Sequence, residues 1–208
     1  ELAGAGHGHD NSESNFTADD SLYCTLECRT VDQVLVFGLN GRVYSVAASA
    51  LPGARGDGVP ITTLIDLAVG SKILHYFAGS ADISLLLSST AGYGFTAKVG
   101  DMVGRMKAGK AFMTLEEADL PLPPAIVTED ASAIACLSEK GRLLVFGMAA
   151  IKQLSSGGRG VILRELEDQE GLVSAQAISQ RRLRVHGLDR VGKSQAVDHY
   201  ATSTRVHT

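Results

Sequence analysis

The stretch that decides the fold is Val34-Leu-Val-Phe-Gly-Leu-Asn40-Gly41-Arg-Val-Tyr-Ser-Val46. Two arms rich in β-branched and aromatic residues flank an Asn-Gly pair. Asn and Gly tolerate the positive φ angles of a tight hairpin turn, and branched or aromatic side chains favour strands. The stretch therefore predicts a β-hairpin with its turn at Gly41.

The same hairpin pattern occurs again around Gly92 and around Gly141, so that the turn glycines are spaced by 51 and 49 residues. A fixed period of this length indicates structural repeats, each of which buries its apolar faces against its neighbours. A fourth copy is predicted to begin at Arg182, with its loop near residues 200–205.

Each hairpin is followed by a loop rich in glycine and cationic residues, at Pro52–Val59, Val103–Lys110 and Leu154–Val161. The last glycine of the loop follows the turn glycine by 17, 17 and 19 residues. Two short apolar segments come after each loop, which predicts four strands per unit. These segments are 61–67 and 73–77, 111–115 and 125–127, and 161–166 and 172–178.

These patterns predict an all-β fold in which four-stranded blades lie around an axis. A further half-buried strand is expected around 22–29, where apolar and polar residues alternate. No helix longer than three turns is expected between residues 31 and 186. The predicted hairpin strands are 34–38, 42–47, 83–88, 93–98, 133–138 and 142–147. We expect a single domain over 1–208, with repeats near 32–81, 82–131 and 132–180 and a partial repeat at 181–208.

Composition favours a globular protein. Hydrophobic residues make up 45% of the chain, but no apolar run reaches the length of a membrane span and no signal peptide is recognisable. We therefore expect no membrane insertion and a cytoplasmic location. Cys24, Cys28 and Cys136 are odd in number and form no C-x-x-C pair, which argues against a disulfide framework and a four-cysteine zinc site. They are expected to be core or partly buried thiols.

The net charge of −4 is unevenly distributed. Residues 1–30 contain six acidic residues and only one basic residue, Arg29, whereas residues 171–208 contain six basic and two acidic residues. Binding to phosphates depends on local clusters of Lys and Arg more than on the sum of charges. The charge pattern therefore permits nucleic-acid binding without establishing it.

Gly187-Leu-Asp-Arg-Val-Gly-Lys193-Ser194 matches the phosphate-binding pattern G-x-x-x-x-G-K-S/T. Nucleotide binding by this loop requires a buried parallel strand before it and a helix after it. The preceding segment Arg182–Val185 is half charged, and 14 residues follow Ser194. Because the repeat period also places 187–191 in a hairpin turn, a hairpin is predicted here and no nucleotide site.

No catalytic constellation is visible in the sequence. The serines lie outside any G-x-S-x-G elbow, and none of the six histidines has a catalytic context. His7 and His9 with Asp10 form an H-x-H pair in a Gly-rich polar segment with no further ligand nearby, which does not predict a metal site, since such a site needs three or four ligands. We therefore expect no catalytic residue, metal or cofactor in this chain.

Five motifs occur in an order and at a spacing that match a known family. They are Gly6-His-Gly-His-Asp10, Leu51-Pro-Gly-Ala-Arg-Gly-Asp-Gly-Val-Pro-Ile-Thr62, Ala91-Gly-Tyr-Gly-Phe95, Arg105-Met-Lys-Ala-Gly-Lys-Ala111 and Val127-Thr-Glu-Asp-Ala131. From about Gly6 to Val185 the chain resembles the C-terminal domain of the A subunit of bacterial DNA topoisomerase IV. The related gyrase domain carries a Gln-Arg-Arg-Gly-Gly-Lys-Gly box, of which Ser155–Gly160 is only a weak echo. The chain is thus more similar to the topoisomerase IV domain.

The resemblance implies a β-pinwheel, a propeller-like disc, closed or open, whose blades exchange strands and whose basic outer rim binds and bends duplex DNA. It implies a fragment of an ATP-dependent type II topoisomerase that relaxes supercoils and separates linked chromosomes in the bacterial cytoplasm, on the nucleoid. The cleaving tyrosine, ATP and Mg would then belong to other domains or subunits. A missing N-terminal part would contact the B subunit of topoisomerase IV and a second copy of the A subunit.

The Gly-rich loops suggest how DNA would be held. Equally spaced cationic loops place similar charges on successive blades, where glycine permits close approach to phosphate and Arg supplies a forked donor. Three alternatives stay open: solvated cations on ordinary turns, a wrapping domain of the gyrase type, and a protein-binding propeller. The candidate DNA-binding residues are Arg42, Arg55, Lys98, Arg105, Lys107, Lys110, Arg142, Lys152 and Arg159.

Overall fold

The computed structural model describes residues 23–53 and 58–179, together with the backbone of three later strands at 182–188, 194–200 and 206–207. Within these residues the only α-helix is the four-residue α1, Val99–Met102. Short 3-10 turns lie at Ala48–Ala50, Ile61–Thr63 and Met148–Ala150. The expected all-β architecture is confirmed.

The strands form three four-stranded antiparallel sheets and a two-stranded hairpin. The first sheet contains β1 (Gln33–Gly38), β2 (Arg42–Ala47), β3 (Ile73–Gly79) and β6 (Lys110–Ala111). The second contains β4 (Ser84–Ser88), β5 (Tyr93–Lys98), β7 (Ala125–Val127) and β10 (Val161–Ile162). The third contains β8 (Ala133–Ser138), β9 (Leu143–Gly147), β11 (Leu172–Ile178) and β14 (Val206–His207), and the hairpin is β12 (Arg182–Leu188) with β13 (Ser194–Tyr200). The six hairpin strands predicted from the sequence agree with these bounds to within one residue.

One strand of each four-stranded sheet comes from the following repeat. In the first sheet β6 pairs with β2, in the second β10 pairs with β5, and in the third β14 pairs with β9. Each sheet is therefore completed only by residues far along the chain. This exchange between neighbouring blades is the β-pinwheel arrangement that the resemblance implied.

Strand alternation explains why the hairpins are buried on both faces. In the first sheet Leu35, Phe37 and Val43 pack toward the second sheet, against a cluster that includes Phe95. Their even-numbered neighbours point to the opposite face, where they form a separate cluster around Tyr44. Since successive side chains of a strand point to opposite faces, a strand between two packed layers is apolar throughout.

The turn glycines connect each hairpin to the next repeat. The carbonyl oxygen of Gly41 accepts hydrogen bonds from the amides of Phe112 (3.2 Å) and Met113 (2.9 Å). The carbonyl of Gly92 likewise accepts from Leu163 (2.8 Å) and, more weakly, from the next amide (3.4 Å). Two tight turns thus hold the chain that follows each exchanged strand.

Three sequence predictions were wrong: the strand around 22–29, the burial of Cys24 and Cys28, and the strand at 61–67. The segment 23–29 is exposed and forms no strand; instead, the Tyr23 hydroxyl donates to the Leu74 carbonyl (3.0 Å). Cys24 and Cys28 are consequently exposed, and only Cys136 is a core thiol. The segment 61–67 begins with a 3-10 turn in place of a strand, because residues 61 and 65, four apart, are both buried on one side.

The segment that matches a phosphate-binding loop belongs to a hairpin, as predicted. Gly187 lies near the end of β12 and Ser194 begins β13, and the two strands pair antiparallel. The helix that would face a nucleotide phosphate is replaced by a strand. Lys193 and residues 201–205 of the expected fourth loop lie outside the described residues, as do His7, His9 and Asp10.

A charged cluster fixes the loop 165–170 to the third hairpin turn. Glu167 bridges the Lys140 ammonium (2.9 Å) and the Arg142 guanidinium (2.5 Å). Its neighbour Glu170 is buried, and the Glu139 carboxylate accepts from the Gly171 amide (3.0 Å). The hydrogen bonds from Arg142 and then Lys140 lower the pKa of Glu167 to about 2.

Gly160 offers a test of the loop geometry. It has a φ of +85°, and a Cβ there would lie 2.2 Å from the carbonyl oxygen of Gly94. Gly160→Ala is therefore expected to lower the free energy of unfolding by about 1–3 kcal/mol, measured by urea denaturation. Gly147→Ala is the control, since Gly147 has an ordinary φ of −67° and no atom within 4 Å of an added Cβ. Equal stability of the two variants would contradict the described loop.

The Glu167 cluster predicts a specific acid sensitivity. Because the folded pKa lies below the ordinary value of 4.5, the cluster stabilises the fold fully above that pH and loses its effect as pH falls toward 2. In urea titrations across this range, the stability difference between the original chain and Glu167→Gln should shrink as pH falls. Glu117→Gln, an exposed substitution outside the cluster, should show no such convergence. A pH-independent difference for Glu167→Gln would refute the prediction.

Candidate nucleic-acid interface

The loop 103–109 of the second repeat has a fixed backbone and free cationic side chains. The Ser45 hydroxyl donates to the Gly104 carbonyl and accepts from its amide, both at 3.0 Å. The Asp66 amide donates to the Lys107 carbonyl (2.9 Å). Arg105 and Lys107 are exposed, and the only side-chain contact described for either is a long one, 3.5 Å, from Lys107 to a backbone carbonyl. A rigid turn thus presents two cations to solvent.

Three lysines make contacts near the end of β5, through backbone or side-chain atoms. The Thr96 amide donates to the Lys152 carbonyl (2.9 Å), which brings the third repeat beside the strand that ends at Lys98. Asp101 in α1 accepts the Lys98 amide through its carboxylate (3.0 Å) and the Lys110 ammonium through its carbonyl (2.8 Å). The junction of the second and third repeats therefore carries a group of positive charges.

Arg42 has a role that the sequence did not reveal. Its Nε and one terminal nitrogen donate to the carbonyls of Ala108 and Gly109, both at 3.0 Å. Two nitrogens of the guanidinium are thus bound to the loop of the next repeat. Arg42 positions the loop that carries Arg105 and Lys107, and two of its five N–H donors are used for that purpose.

Arg159 is held between a ring and a carboxylate. Its guanidinium carbon lies 3.8 Å from the centroid of the Tyr93 ring, a cation–π contact, and it forms an ion pair with Glu116 at 2.8 Å. The Arg159 side chain is 40% exposed and that of Glu116 is 64% exposed. Arg159 therefore reaches solvent, although a carboxylate already binds one of its terminal nitrogens.

The nine candidate cations are therefore not equivalent. Six of them belong to, or make contacts with, β5, α1 or the loop 103–109: Arg42, Lys98, Arg105, Lys107, Lys110 and Lys152. The structure places Arg159 over Tyr93, and it separates Arg142, which pairs with Glu167 and lies 3.9 Å from Glu170. Arg55 lies outside the described residues.

Sequence reasoning missed three residues of this surface. Tyr93 follows a turn glycine at the position that Arg42 and Arg142 occupy in the other hairpins, so a comparison of repeats would have marked it as unusual. Glu116 and Glu167 meet their partners through the fold, and nothing in the local sequence identifies them.

Other functional features were sought among the described residues. No group of three His, Cys, Asp or Glu side chains there could hold a metal ion. His75 contacts the Pro121 carbonyl through Nε2 (2.9 Å). Within the same part of the chain, no helix is long and apolar enough to cross a membrane.

Comparison with known proteins identifies the fold. Residues 32–73 and 133–179 match the family model of the DNA gyrase C-terminal domain, a beta-propeller. A structure of the Escherichia coli ParC C-terminal domain aligns over 94% of this chain and 80% of its own, with a TM-score of 0.83 and 28% identity. A structure of the DNA gyrase A C-terminal domain shares the fold, with a TM-score of 0.65 at 22% identity over 88% of this chain and 60% of its own.

Proteins related in sequence indicate the same family. The A subunit of DNA topoisomerase 4 from Neisseria gonorrhoeae is 36% identical over 90% of this chain, and its Escherichia coli counterpart is 34% identical over 73%. The chain spans 25% and 20% of the lengths of these two proteins. With strand exchange, repeat period and sequence in agreement, the chain belongs to the family of C-terminal domains found in the A subunits of topoisomerase IV and DNA gyrase.

Proposed function

We propose that this chain binds and bends duplex DNA through its cationic loops, as the C-terminal domain of a topoisomerase IV A subunit. The observation that carries the proposal is the loop 103–109, whose backbone is fixed while Arg105 and Lys107 extend into solvent. Because the backbone of this turn is already fixed, it loses little further backbone entropy when its cations bind, which favours contact with a regular polyanion. The loop would bind phosphates of the DNA backbone through these two side chains.

The contacts would be independent of base sequence. Contacts to phosphates fix the position of a duplex but do not read its bases. A protein that follows a curved row of phosphates also bends the DNA, and the energy of bending depends on DNA deformability. Such a domain is suited to recognising DNA shape, including crossings of two duplexes, and less suited to recognising a site.

The chain would serve a larger enzyme. We propose that the parent protein is an ATP-dependent type II topoisomerase in the bacterial cytoplasm, associated with the nucleoid, and that this domain selects and positions DNA crossings for relaxation and decatenation. Cleavage, ATP and Mg would belong to the N-terminal part and to the B subunit. A second copy of the A subunit would complete the assembly.

DNA binding is tested by a salt series on a mixed-sequence duplex. Arg105→Ala and Lys107→Ala are each expected to weaken binding on any sequence and to reduce the slope of log affinity against log salt by about one unit, because each removes one phosphate contact. The control is Lys72→Ala, which removes the same charge from an exposed lysine outside the Gly-rich loops. If the Arg105→Ala/Lys107→Ala double variant binds like the original, the DNA proposal fails and a protein-binding propeller becomes the better explanation.

The role in the whole enzyme makes a separate prediction. In the full-length protein assembled with its ATPase partner, the same double substitution should slow decatenation and supercoil relaxation. DNA cleavage should be retained, because the reacting groups are proposed to lie in other domains. Rates of strand passage and amounts of trapped cleavage product measure the two steps. An equal loss of both would show that the loop acts on the cleavage chemistry itself.

A further inference from the structure

The cationic residues of the second and third repeats differ in what already binds them. Within the described residues, no carboxylate pairs with Arg105 or Lys107 in the second repeat. In the third repeat Arg159 pairs with Glu116 at 2.8 Å, and Arg142 pairs with Glu167. Two repeats with the same fold therefore present different surfaces to an anion.

The contact of Arg159 with Glu116 has the chemistry of a phosphate contact. A carboxylate oxygen and a phosphate oxygen accept charge-assisted hydrogen bonds from the same edge of a guanidinium. The Tyr93 ring covers one face of Arg159 and so directs binding to that edge. A DNA phosphate that takes the terminal nitrogen bound by Glu116 would thus have to displace the carboxylate.

The pair is also weak enough to open. Both side chains are substantially exposed, 40% for Arg159 and 64% for Glu116, and exposed ion pairs contribute little free energy. The pair at Arg142 differs, because Glu167 binds Lys140 as well and its pKa is lowered to about 2. Of the two arginines of the third repeat that pair with a carboxylate, Arg159 is therefore the one that DNA could recruit.

We propose that Glu116 is an intramolecular competitor that makes the phosphate contact at Arg159 conditional. The inference rests on the proposed DNA-binding function. DNA binds first to the free cations of the second repeat. It gains Arg159 only when the duplex is close enough, or bent enough, for a phosphate to displace Glu116. Glu116 thus determines how far the DNA path extends onto the third repeat.

The test compares two neighbouring carboxylates. Glu116→Gln and Glu117→Gln remove the same charge from adjacent exposed residues, and only Glu116 is paired with Arg159. Duplex affinity and salt slope are measured for both variants of this chain, with thermal unfolding as a check of the fold. Glu116→Gln should bind roughly two- to fivefold more tightly than Glu117→Gln and steepen the salt slope by up to one unit.

A double-substitution cycle identifies the site of the effect. When Arg159 is replaced by Ala, Glu116→Gln should raise duplex affinity no more than Glu117→Gln does. The inference would be overturned if, with Arg159 present, Glu116→Gln and Glu117→Gln had equal duplex affinity and equal salt slope. Weaker binding by Glu116→Gln would also overturn it. These outcomes are distinct from failure of the proposed DNA-binding function, in which the Arg105→Ala/Lys107→Ala double variant would bind duplex like the original chain.

Discussion

The rest of the structure depends on the hydrogen bonds that the first two hairpin turns accept from the next repeat. The carbonyls of Gly41 and Gly92 bind amides that directly follow exchanged strands. Those amides would otherwise lose water without a partner, which is costly. The turn glycine thus has two functions: its positive φ closes the hairpin, and its carbonyl binds the neighbouring unit. The fixed period of the sequence follows from this double requirement.

The same contacts determine where charge can be presented. An exchanged strand brings the loop before it against the previous blade, where Arg42 holds the loop carbonyls. The loop cations then have only one direction available, outward. Carboxylates from the chain after the exchanged strand reach the same surface, as Glu116 does. Strand exchange therefore brings both cations and carboxylates to this surface.

The hairpins could be predicted from sequence because their signals are local: an Asn-Gly turn, branched arms and a repeated spacing. Segments such as 61–67 could not, since burial of Ile61 and Ile65 on one side depends on the sheet against which they pack. The candidate cations were found by composition and position in the loops. Which of them are free was beyond sequence reasoning, because Arg159 and Glu116 meet only through the fold. Tyr23 shows the same limit, since alternation without an available strand partner does not make a strand.

Strand exchange also has a consequence for folding. Arg42 and Gly109, which meet in the first blade, are separated by 67 residues in the chain. Contacts this distant in sequence slow folding, because the intervening loop must be closed before they form. During synthesis on the ribosome, the first sheet therefore lacks its last strand, β6, until most of the second repeat has emerged. An unfilled edge of this kind is prone to pairing with another chain. Rapid synthesis of the second repeat would shorten that exposure.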